Sequence, residues 1–433
     1  MKIRYVIIGN SAGGIGAAEA IREVDKEGTL AVISDEPHTA YSRPLISKYL
    51  AGERTLQGTS YRPTDFYSRN GILPLLGQRV VRLSPEAHSL KLDGGRRLAW
   101  DRLLLATGGV PIVPRIEGIH QAGVFSFTTL EDAMAIDEYL AVAKNAVVIG
   151  GGLIGISVAE SLKKRGVTVT VVEMKDRILN TVLDETGSFM AEQAVRRAGV
   201  DIITGHTVTR VTGKGRATGV ALDDGREVPA RLVLLAVGVS PRTELARGTG
   251  IETGRGIIVD RCMRTTCPVV FCCGDAAEGY DFVHGANRVI PVWPGAYLGG
   301  RVAGCNMAGV PTEYNCGTAM NALNYFGVEI ASAGMVNAVE DDDCEVLRRQ
   351  DGTGYRMVVL KDRRLVGMAF VGSTDMAGVM FGLMKDRVNV GDFKQALMSD
   401  DFGLASLPRE IWQQRLETPP TTQTDAWGRV LAC

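Results

Sequence analysis

Two stretches of one design, far apart in the chain, constrain this sequence more than any other feature. The first, "RYVIIGNSAGGIGAAEAIREVDKEGTLAVISDE", begins at Arg4. An apolar β-type run closes on Gly9, and Ser11 and Gly14 complete the spacing G-x-G-x-x-G with serine in the middle. Ile15, Ala18, Ile21 and Val24 then recur at helical spacing, and a second apolar run ends at Asp35 and Glu36. The second stretch, "VVIGGGLIGISVAESLKKRGVTVTVVE", carries Gly150, Gly152 and Gly155, with Leu153 and Ile154 opening the helix and Glu173 closing the strand. The first glycine makes a tight turn. A small residue at the second position lets backbone approach a pyrophosphate, and the third glycine lets the helix lie close on the strand. The helix N-terminus then turns its positive dipole end toward phosphate. A carboxylate at the end of the second strand suits a ribose hydroxyl. A lone glycine pattern is weak evidence, but strand, glycines, helix, strand and acid in order, twice, is strong.

Glu173 favours NAD over NADP, because a carboxylate accepts from a free 2′-hydroxyl and repels a 2′-phosphate. Lys175 and Arg177 lie close enough to reach a phosphate and weaken that inference. "LAWDRLLLATGGVP" and "VPARLVLLAVGVSPRTEL" each read as a strand returning to the sheet of its own nucleotide unit and leaving through a glycine, Gly108 in one and Gly238 in the other. Between Val80 and Leu98, and again between Val208 and Val228, short strand-like runs alternate with turns such as "DGGRR" and "DDGRE". These read as small antiparallel insertions.

The 433 residues suffice for two or three domains. A formal net charge of -1 offers no basic field to gather nucleic acid. No apolar run approaches the ~20 residues of a membrane helix, and the first strand starts almost at Met1, which leaves no room for a signal peptide. The expectation is a soluble, cytoplasmic protein. All eight cysteines fall at or after Cys262. Cys262, Cys267, Cys272 and Cys273 are close enough to raise an iron–sulfur reading, but their spacing matches no known cluster pattern. Cys272 and Cys273 sit in the apolar run "VVFCCGD", where cysteine behaves as a small hydrophobe. No metal site is expected.

Together with "YSRPLISK", "GIIVD", "CCGDAAE" and "VWPGAYLGGRVAG", these motifs make the chain resemble the pyridine nucleotide–disulfide oxidoreductase superfamily of two-dinucleotide flavoproteins, from about Lys2 to Gly309 and more loosely beyond. The resemblance implies that the first unit binds FAD and the second NAD(H), and that Gly274 and Asp275 return to the flavin, with Asp275 on its ribityl chain. It implies backbone contacts from Val80 to the adenine and from Ala106 and Thr107 near the cofactor. Arg43 and Lys48 match basic residues beside the flavin and its phosphates, and cations there are chemically reasonable beside a pyrophosphate. Two nucleotide sites in one chain let a hydride pass between nucleotides while the protein supplies position and electrostatics.

Two departures narrow the branch. "PHTAYSRPLISKYLAGE" lacks the redox cysteine that disulfide reductases and peroxidases carry in this stretch, so no thiol there can relay electrons. The chain is thus similar to the cysteine-free branch: rubredoxin– and ferredoxin–NAD reductases and NAD-linking FAD subunits of iron–sulfur or tungsten oxidoreductases. Second, Ser157 stands where many relatives place a glutamate that pairs with the flavin-side lysine. Either Lys48 has another partner, or its charge is left to stabilise a reduced flavin. The resemblance implies an FAD-dependent NAD(H) oxidoreductase that exchanges electrons with an iron–sulfur partner, as a subunit of a larger complex or with a small carrier. A stand-alone NADH oxidase acting on oxygen or quinone and a non-catalytic sensor or assembly module are the alternatives. An oligomer or hetero-complex is expected.

The fold expected is α/β: two Rossmann-like dinucleotide-binding domains, one inserted in the other, plus a C-terminal α+β domain. Residues 1–112 and 239–315 read as the FAD domain, 113–238 as the NAD(H) domain, 316–408 as the C-terminal domain and 409–433 as a tail. The C-terminal domain is expected to open with "YRMVVLKDRRLVGMAFVG", turning at Lys361–Arg364, and to continue with helical stretches at Phe381–Arg387 and Phe393–Leu397. The Pro/Thr-rich tail, reaching Trp427, Val430 and Leu431, reads as a docking arm or a disordered end. His284 and Arg288 read as a solvated loop, Trp293 as packing, and the acidic run "EDDDCE" as a solvated turn.

Overall fold

Tyr5 to Ile8 and Leu103 to Leu105 are apolar without alternation, as a strand covered on both faces requires. In the computed structural model, which describes residues 2–338, 343–352, 354–399 and scattered positions from 402 to 431, they are strand centres. The chain enters through β1 (Lys2–Ile8), α1 (Ala12–Val24) and β2 (Leu30–Ile33). Short helices α2 (Ile46–Leu50) and α3 (Phe66–Arg69) lead to β3 (Ile72–Leu75). β4 (Val80–Ser84), β5 (Ser89–Leu92) and β6 (Arg97–Leu105) run antiparallel to one another, and β6 rejoins β1 in parallel. The resulting order is β3-β2-β1-β6-β5-β4.

After β7 (Gly109–Pro111) the chain builds the second unit from β8 (Val124–Ser126), α4 (Leu130–Tyr139), β9 (Asn145–Ile149), α5 (Leu153–Lys164), β10 (Thr168–Glu173), α6 (Glu185–Arg197) and β11 (Asp201–Thr204). An antiparallel insertion, β12 (Val208–Gly213), β13 (Ala217–Leu222) and β14 (Glu227–Pro229), precedes β15 (Leu232–Leu235). The parallel order is β11-β10-β9-β15-β8. β16 (Val239–Pro241) then pairs antiparallel with β7, so the outgoing and returning chains cross between the units side by side.

The returning chain carries β17 (Ile257–Ile258), β18 (Val270–Cys272), β19 (Ala277–Asp281) and β20 (Ala286–Val289). β18 adds to the first sheet beside β6 in parallel, which delivers Gly274 and Asp275 to the same end of the sheet as the Gly9 turn. α7 (Trp293–Met307) then packs on α1 at backbone contact distance. A Cβ added to Gly300 would lie 2.0 Å from the Gly13 carbonyl oxygen, and one on Gly304 2.5 Å from that of Ala17. Arg301 clasps Glu23 at 2.6 Å, and Tyr297 donates to Glu19 at 2.9 Å.

The last domain is a five-stranded antiparallel sheet of β21 (Met320–Tyr325), β22 (Val328–Gly334), β23 (Glu345–Asp351), β24 (Gly354–Lys361) and β25 (Arg364–Gly372), in the order β21-β22-β25-β24-β23. Its alternation serves two cores. Tyr355, Met357, Val359, Ala369 and Val371 join the core of the second nucleotide unit. Val358, Leu360, Met368 and Phe370 face α8 (Ala377–Lys385) and Phe402. Three strands precede the run expected to open this domain. β21 and β22 are mixed in polarity, and β23 reads EVLRRQD, two adjacent apolar residues followed by four polar ones, so none of the three gives a strong period. The turn expected at Lys361–Arg364 is a two-residue hairpin with Asp362 and Arg363 at φ 49° and 60°. The helix expected at Phe381–Arg387 starts earlier, at Ala377. The stretch at Phe393–Leu397 holds only turns and a 3-10 helix from Ala396 to Met398, too short to bury a helical face. Glu345 opens β23 and binds Lys394 at 2.7 Å, so the acidic run is not wholly a solvated turn; its residues 340–342 lie outside the described ones. Of the tail, Gln423–Thr424 and Val430–Leu431 pair as a short ladder, while Trp427 lies outside the described residues. No helix among the described residues is long and apolar enough to cross a membrane.

The α1–α7 approach predicts a sharp contrast between two glycines. Gly300→Ala forces a methyl into backbone and should destabilise by about 1–3 kcal/mol, the usual scale of overpacking. Exposed Gly378 in α8 has nothing within 4 Å of an added Cβ, so Gly378→Ala should be neutral or stabilising by up to ~1 kcal/mol. Denaturant unfolding of both variants checks this.

Candidate functional site

The two glycine turns are geometric copies. Gly9 and Gly150 adopt φ 124° and 109°, which only glycine tolerates readily. A Cβ on Gly9 would stand 2.0 Å from the Ala106 carbonyl oxygen, and one on Gly150 2.5 Å from that of Ala236. A Cβ on Gly14 or on Gly155 would stand 1.9 Å from the carbonyl oxygen of Gly9 or Gly150 respectively. Gly14 and Gly155 therefore set helix against strand and do not line the cavity that the other expected site residues share. They act on a cofactor only by aiming the helices.

That cavity has a volume of about 1520 Å³, beyond the ~300–1,000 Å³ of an ordinary small-molecule site. One lobe is walled by Gly9, Ser11, Asp35, Glu36, Val80, Ala106, Thr107, Gly108, Gly274 and Asp275. The other is walled by Gly150, Gly152, Leu153, Ile154, Glu173 and Gly238. Arg43 and Lys48 line the same continuous space. Both helix starts are open donors. Ser11 caps α1 and Gly152 caps α5 without a side-chain hydrogen bond, neither first turn holds an acid, and a Cβ on Gly152 would meet nothing within 4 Å. Backbone N–H groups aimed into a cavity at two helix N-termini, over glycine turns, form two cradles for diphosphates. The residues present thus fit two dinucleotides.

Charge is arranged around the first lobe in pairs. Glu36 holds the Arg43 guanidinium and accepts from the Tyr41 hydroxyl at 2.5 Å. Burial and the neighbouring Glu36 carboxylate push the Tyr41 hydroxyl up, so it remains a donor. Arg43 also donates to the Thr128 carbonyl at 2.7 Å, and His38 meets Glu131 at 2.7 Å. The loop after β2 therefore ties the first lobe to the start of α4. Asp35 pairs with Arg242 at 2.9 Å. Arg242 and Tyr41 are not among the expected site residues, although their signal is local: Arg242 stands four residues after Gly238 and Tyr41 two before Arg43. Burial pushes the Asp275 carboxyl up, while Arg43 opposes the shift. Cys273 beside it is pushed up to about 12 by burial and by Asp275, so it is a thiol rather than a thiolate at neutral pH.

In the second lobe Glu173 accepts from Gly151 N–H at 2.6 Å and from Lys175 N–H at 2.8 Å. Each oxygen keeps acceptor capacity, because a carboxylate offers about four lone-pair sites. Arg177 turns away to Asp176 and Asn337 and does not line the cavity, whereas Lys175 does. The cover over the cavity comes from Ala322–Tyr325 of β21, and the Tyr325 hydroxyl donates to the Leu153 carbonyl at 3.0 Å. Trp293 also lines it, edge-on to Tyr61 at 5.2 Å. His284 and Arg288 lie outside the wall, where Asp281 holds His284 at 2.9 Å. Lys48 pairs with Glu53 at 3.0 Å.

Residues 3–290 match the family described as pyridine nucleotide-disulphide oxidoreductase, and residues 320–388 match the rubredoxin NAD+ reductase C-terminal domain. The chain is 31% identical to the NADH-dependent phenylglyoxylate dehydrogenase subunit epsilon of Aromatoleum evansii, over 95% of this chain and 97% of that protein. It is 34% identical to the ferredoxin–NAD(+) reductase component of the biphenyl dioxygenase system of Paraburkholderia xenovorans, over 70% of this chain and 74% of that one. Among solved structures, putidaredoxin reductase in its covalent complex with putidaredoxin superposes with a TM-score of 0.85 at 26% identity, over 96% of this chain and 98% of that chain.

Two outcomes follow from the lobes. Asp275→Ala should weaken FAD retention, read as flavin lost on gel filtration, because it removes a buried carboxylate from the cavity wall. Glu173→Ala should erode discrimination for NADH over NADPH by about 1–3 kcal/mol, the scale of charged hydrogen bonds. Flavin reduction by each nucleotide measures it, and a wild type that prefers NADPH would show Lys175 to dominate.

Proposed function

The chain belongs to the pyridine nucleotide-disulphide oxidoreductase family, and from that premise we propose that it passes electrons between NAD(H) and an iron–sulfur partner, as the NAD-reactive flavoprotein of a larger oxidoreductase assembly. It is an NAD(H)-dependent oxidoreductase, and FAD and NAD(H) are its cofactors. The observation that carries the reading is one cavity fed by two diphosphate cradles, with no reactive thiol in its described wall. Bound FAD supplies a site that takes a hydride from NADH and gives up electrons singly, which suits a junction with iron–sulfur centres.

The protein's part is position and electrostatics. The α1 and α5 N-termini hold the two diphosphates. Asp35 and Glu36 at the end of β2, and Glu173 at the end of β10, take the two adenosine riboses. Asp275 and Arg43 line the cavity and serve the bound flavin in this reading. The β21 residues Ala322–Tyr325 complete the wall. Cys273 lines the wall, yet its proton stays on, so electrons leave without a thiol relay.

The name of one relative, a ferredoxin–NAD(+) reductase component, supports an iron–sulfur partner, and that of the other, an NADH-dependent dehydrogenase subunit, supports a larger assembly. The seven described cysteines are unbridged, which suits a reducing compartment, and a cytoplasmic setting belongs to the same reading.

NADH should bleach the flavin within a single turnover, while steady NADH oxidation by oxygen stays slow and a ferredoxin-type acceptor accelerates it. Stopped-flow absorbance and oxygen uptake give both numbers. Fast oxygen turnover with no gain from an iron–sulfur acceptor would transfer the reading to a stand-alone NADH oxidase. Cys273→Ala should leave NADH-to-acceptor turnover within about twofold of wild type, as expected of a small hydrophobe rather than a nucleophile.

A further inference from the structure

Lys48 comes from the first nucleotide unit, and Ser157 and Glu160 from the second, yet all three line the same cavity. Both nucleotide units therefore contribute to this stretch of wall. The ground beneath Lys48 is rigid. Ser161 of α5 donates to the Ser47 carbonyl at 2.9 Å, and Arg165 donates to the Leu50 carbonyl at 2.9 Å, so α2 is stapled to α5. The chain then folds back, and Glu53 N–H donates to the Lys48 carbonyl at 2.9 Å. That turn sets the Glu53 carboxylate 3.0 Å from the Lys48 ammonium. Lys164 binds the other oxygen of Glu53 at 2.6 Å and reaches Glu160 at 3.1 Å. Glu160 in turn accepts from Phe326 N–H at 3.1 Å, in the hairpin turn that follows the covering segment of β21. Hydrogen bonds from Lys164 and Lys48 hold the Glu53 carboxyl below its ordinary range, so it is ionised at neutral pH. Ser157, one turn earlier on α5, offers no charge.

We propose that Glu53 is the positioning residue for the flavin-side cation: its carboxylate holds and half-neutralises Lys48, in place of a carboxylate at position 157 of α5, and thereby sets the redox potential of the bound flavin. The Lys164–Glu160 pair anchors Glu53 from behind. Two cations and two anions make the cluster neutral in sum, but only Lys48 of the two cations reaches the cavity wall. Two-electron reduction places negative charge on the flavin ring. A freer Lys48 would stabilise that charge, and a carboxylate drawing Lys48 back opposes it.

The inference rests on FAD occupying the lobe beside Lys48, and a wild type that retains no FAD would fail that reading, not this one. The test equilibrates the FAD-loaded protein with reference dyes and reads the ratio of reduced to oxidised flavin. Glu53→Gln should raise that ratio about tenfold, close to 30 mV for a two-electron couple. Ser157→Glu added to Glu53→Gln should bring the ratio back toward wild type, because it returns a carboxylate to the same ammonium from α5. Lys48→Gln should lower the ratio and abolish the effect of Glu53→Gln. An unchanged ratio in Glu53→Gln overturns the proposal, even if melting temperature or flavin content falls. An equal shift in the absence of Lys48 overturns it as well. Should Glu53→Gln shed its flavin, Ser157→Glu alone decides: a second carboxylate on Lys48 should lower the ratio, and no change sinks the idea.

Discussion

Backbone meeting backbone at glycine is the contact on which the molecule depends. Gly14 and Gly155 let α1 and α5 lie on the strands that precede them, and Gly300 and Gly304 let α7 lie on α1. Each approach is too close for any Cβ. If α1 stood off β1, its N-terminal N–H groups would no longer point into the cavity. If α7 stood off α1, the segment carrying Gly274 and Asp275 would lose the helix it packs on, because a Cβ on Gly274 would stand 3.3 Å from that of Ala296 in α7. The surrounding ion pairs, Arg301 with Glu23 and Arg62 with Glu19, brace these approaches from the rim. These largely covered pairs orient helices whose contact is set by missing side chains.

A second constraint is electrostatic. Two diphosphates brought into one cavity carry several negative charges, and the wall answers mainly with backbone dipoles. Arginines and lysines are present, but nearly every one is matched: Arg43 by Glu36, Arg242 by Asp35, Lys48 by Glu53. Matched charges near a redox centre let the protein tune a potential without a large net field. The same pairs join parts of the chain that the topology leaves separate. Arg43 and His38 reach the start of α4, so the first lobe and the second share a wall that neither builds alone.

The C-terminal sheet shows how one element serves two cores. Alternate residues of β24 and β25 complete the second nucleotide unit on one face and cover α8 on the other. Its edge strand β21 closes over the cavity, and Tyr325 and Phe326 bond to Leu153 and Glu160 of α5. The part of the chain with the weakest sequence signal thus closes the site whose sequence signal is strongest.

The sequence alone determined the two cradles. Glycines at fixed spacing after an apolar strand have one physical use, and Gly9, Gly14, Gly150 and Gly155 stand where φ and contact distance demand them. It also determined that no redox cysteine precedes Tyr49, and that the acid ending β10 faces the second lobe. Tertiary structure decided the rest. β21 to β23 lack a clean period because one of their faces meets another domain and the other a short helix, so burial there follows partners and not local pattern. Tyr325 joins the cavity from a segment remote in sequence, and nothing in its neighbourhood announces it. The partner of Lys48 was invisible for the same reason: Ser157 removed the expected carboxylate. Only the fold-back of the chain after α2, held by the Lys48 carbonyl, puts Glu53 within 3.0 Å of the ammonium. Local chemistry writes a cradle into a sequence because its geometry is made of consecutive residues; a charge pair across a turn or between domains exists only once the chain has closed.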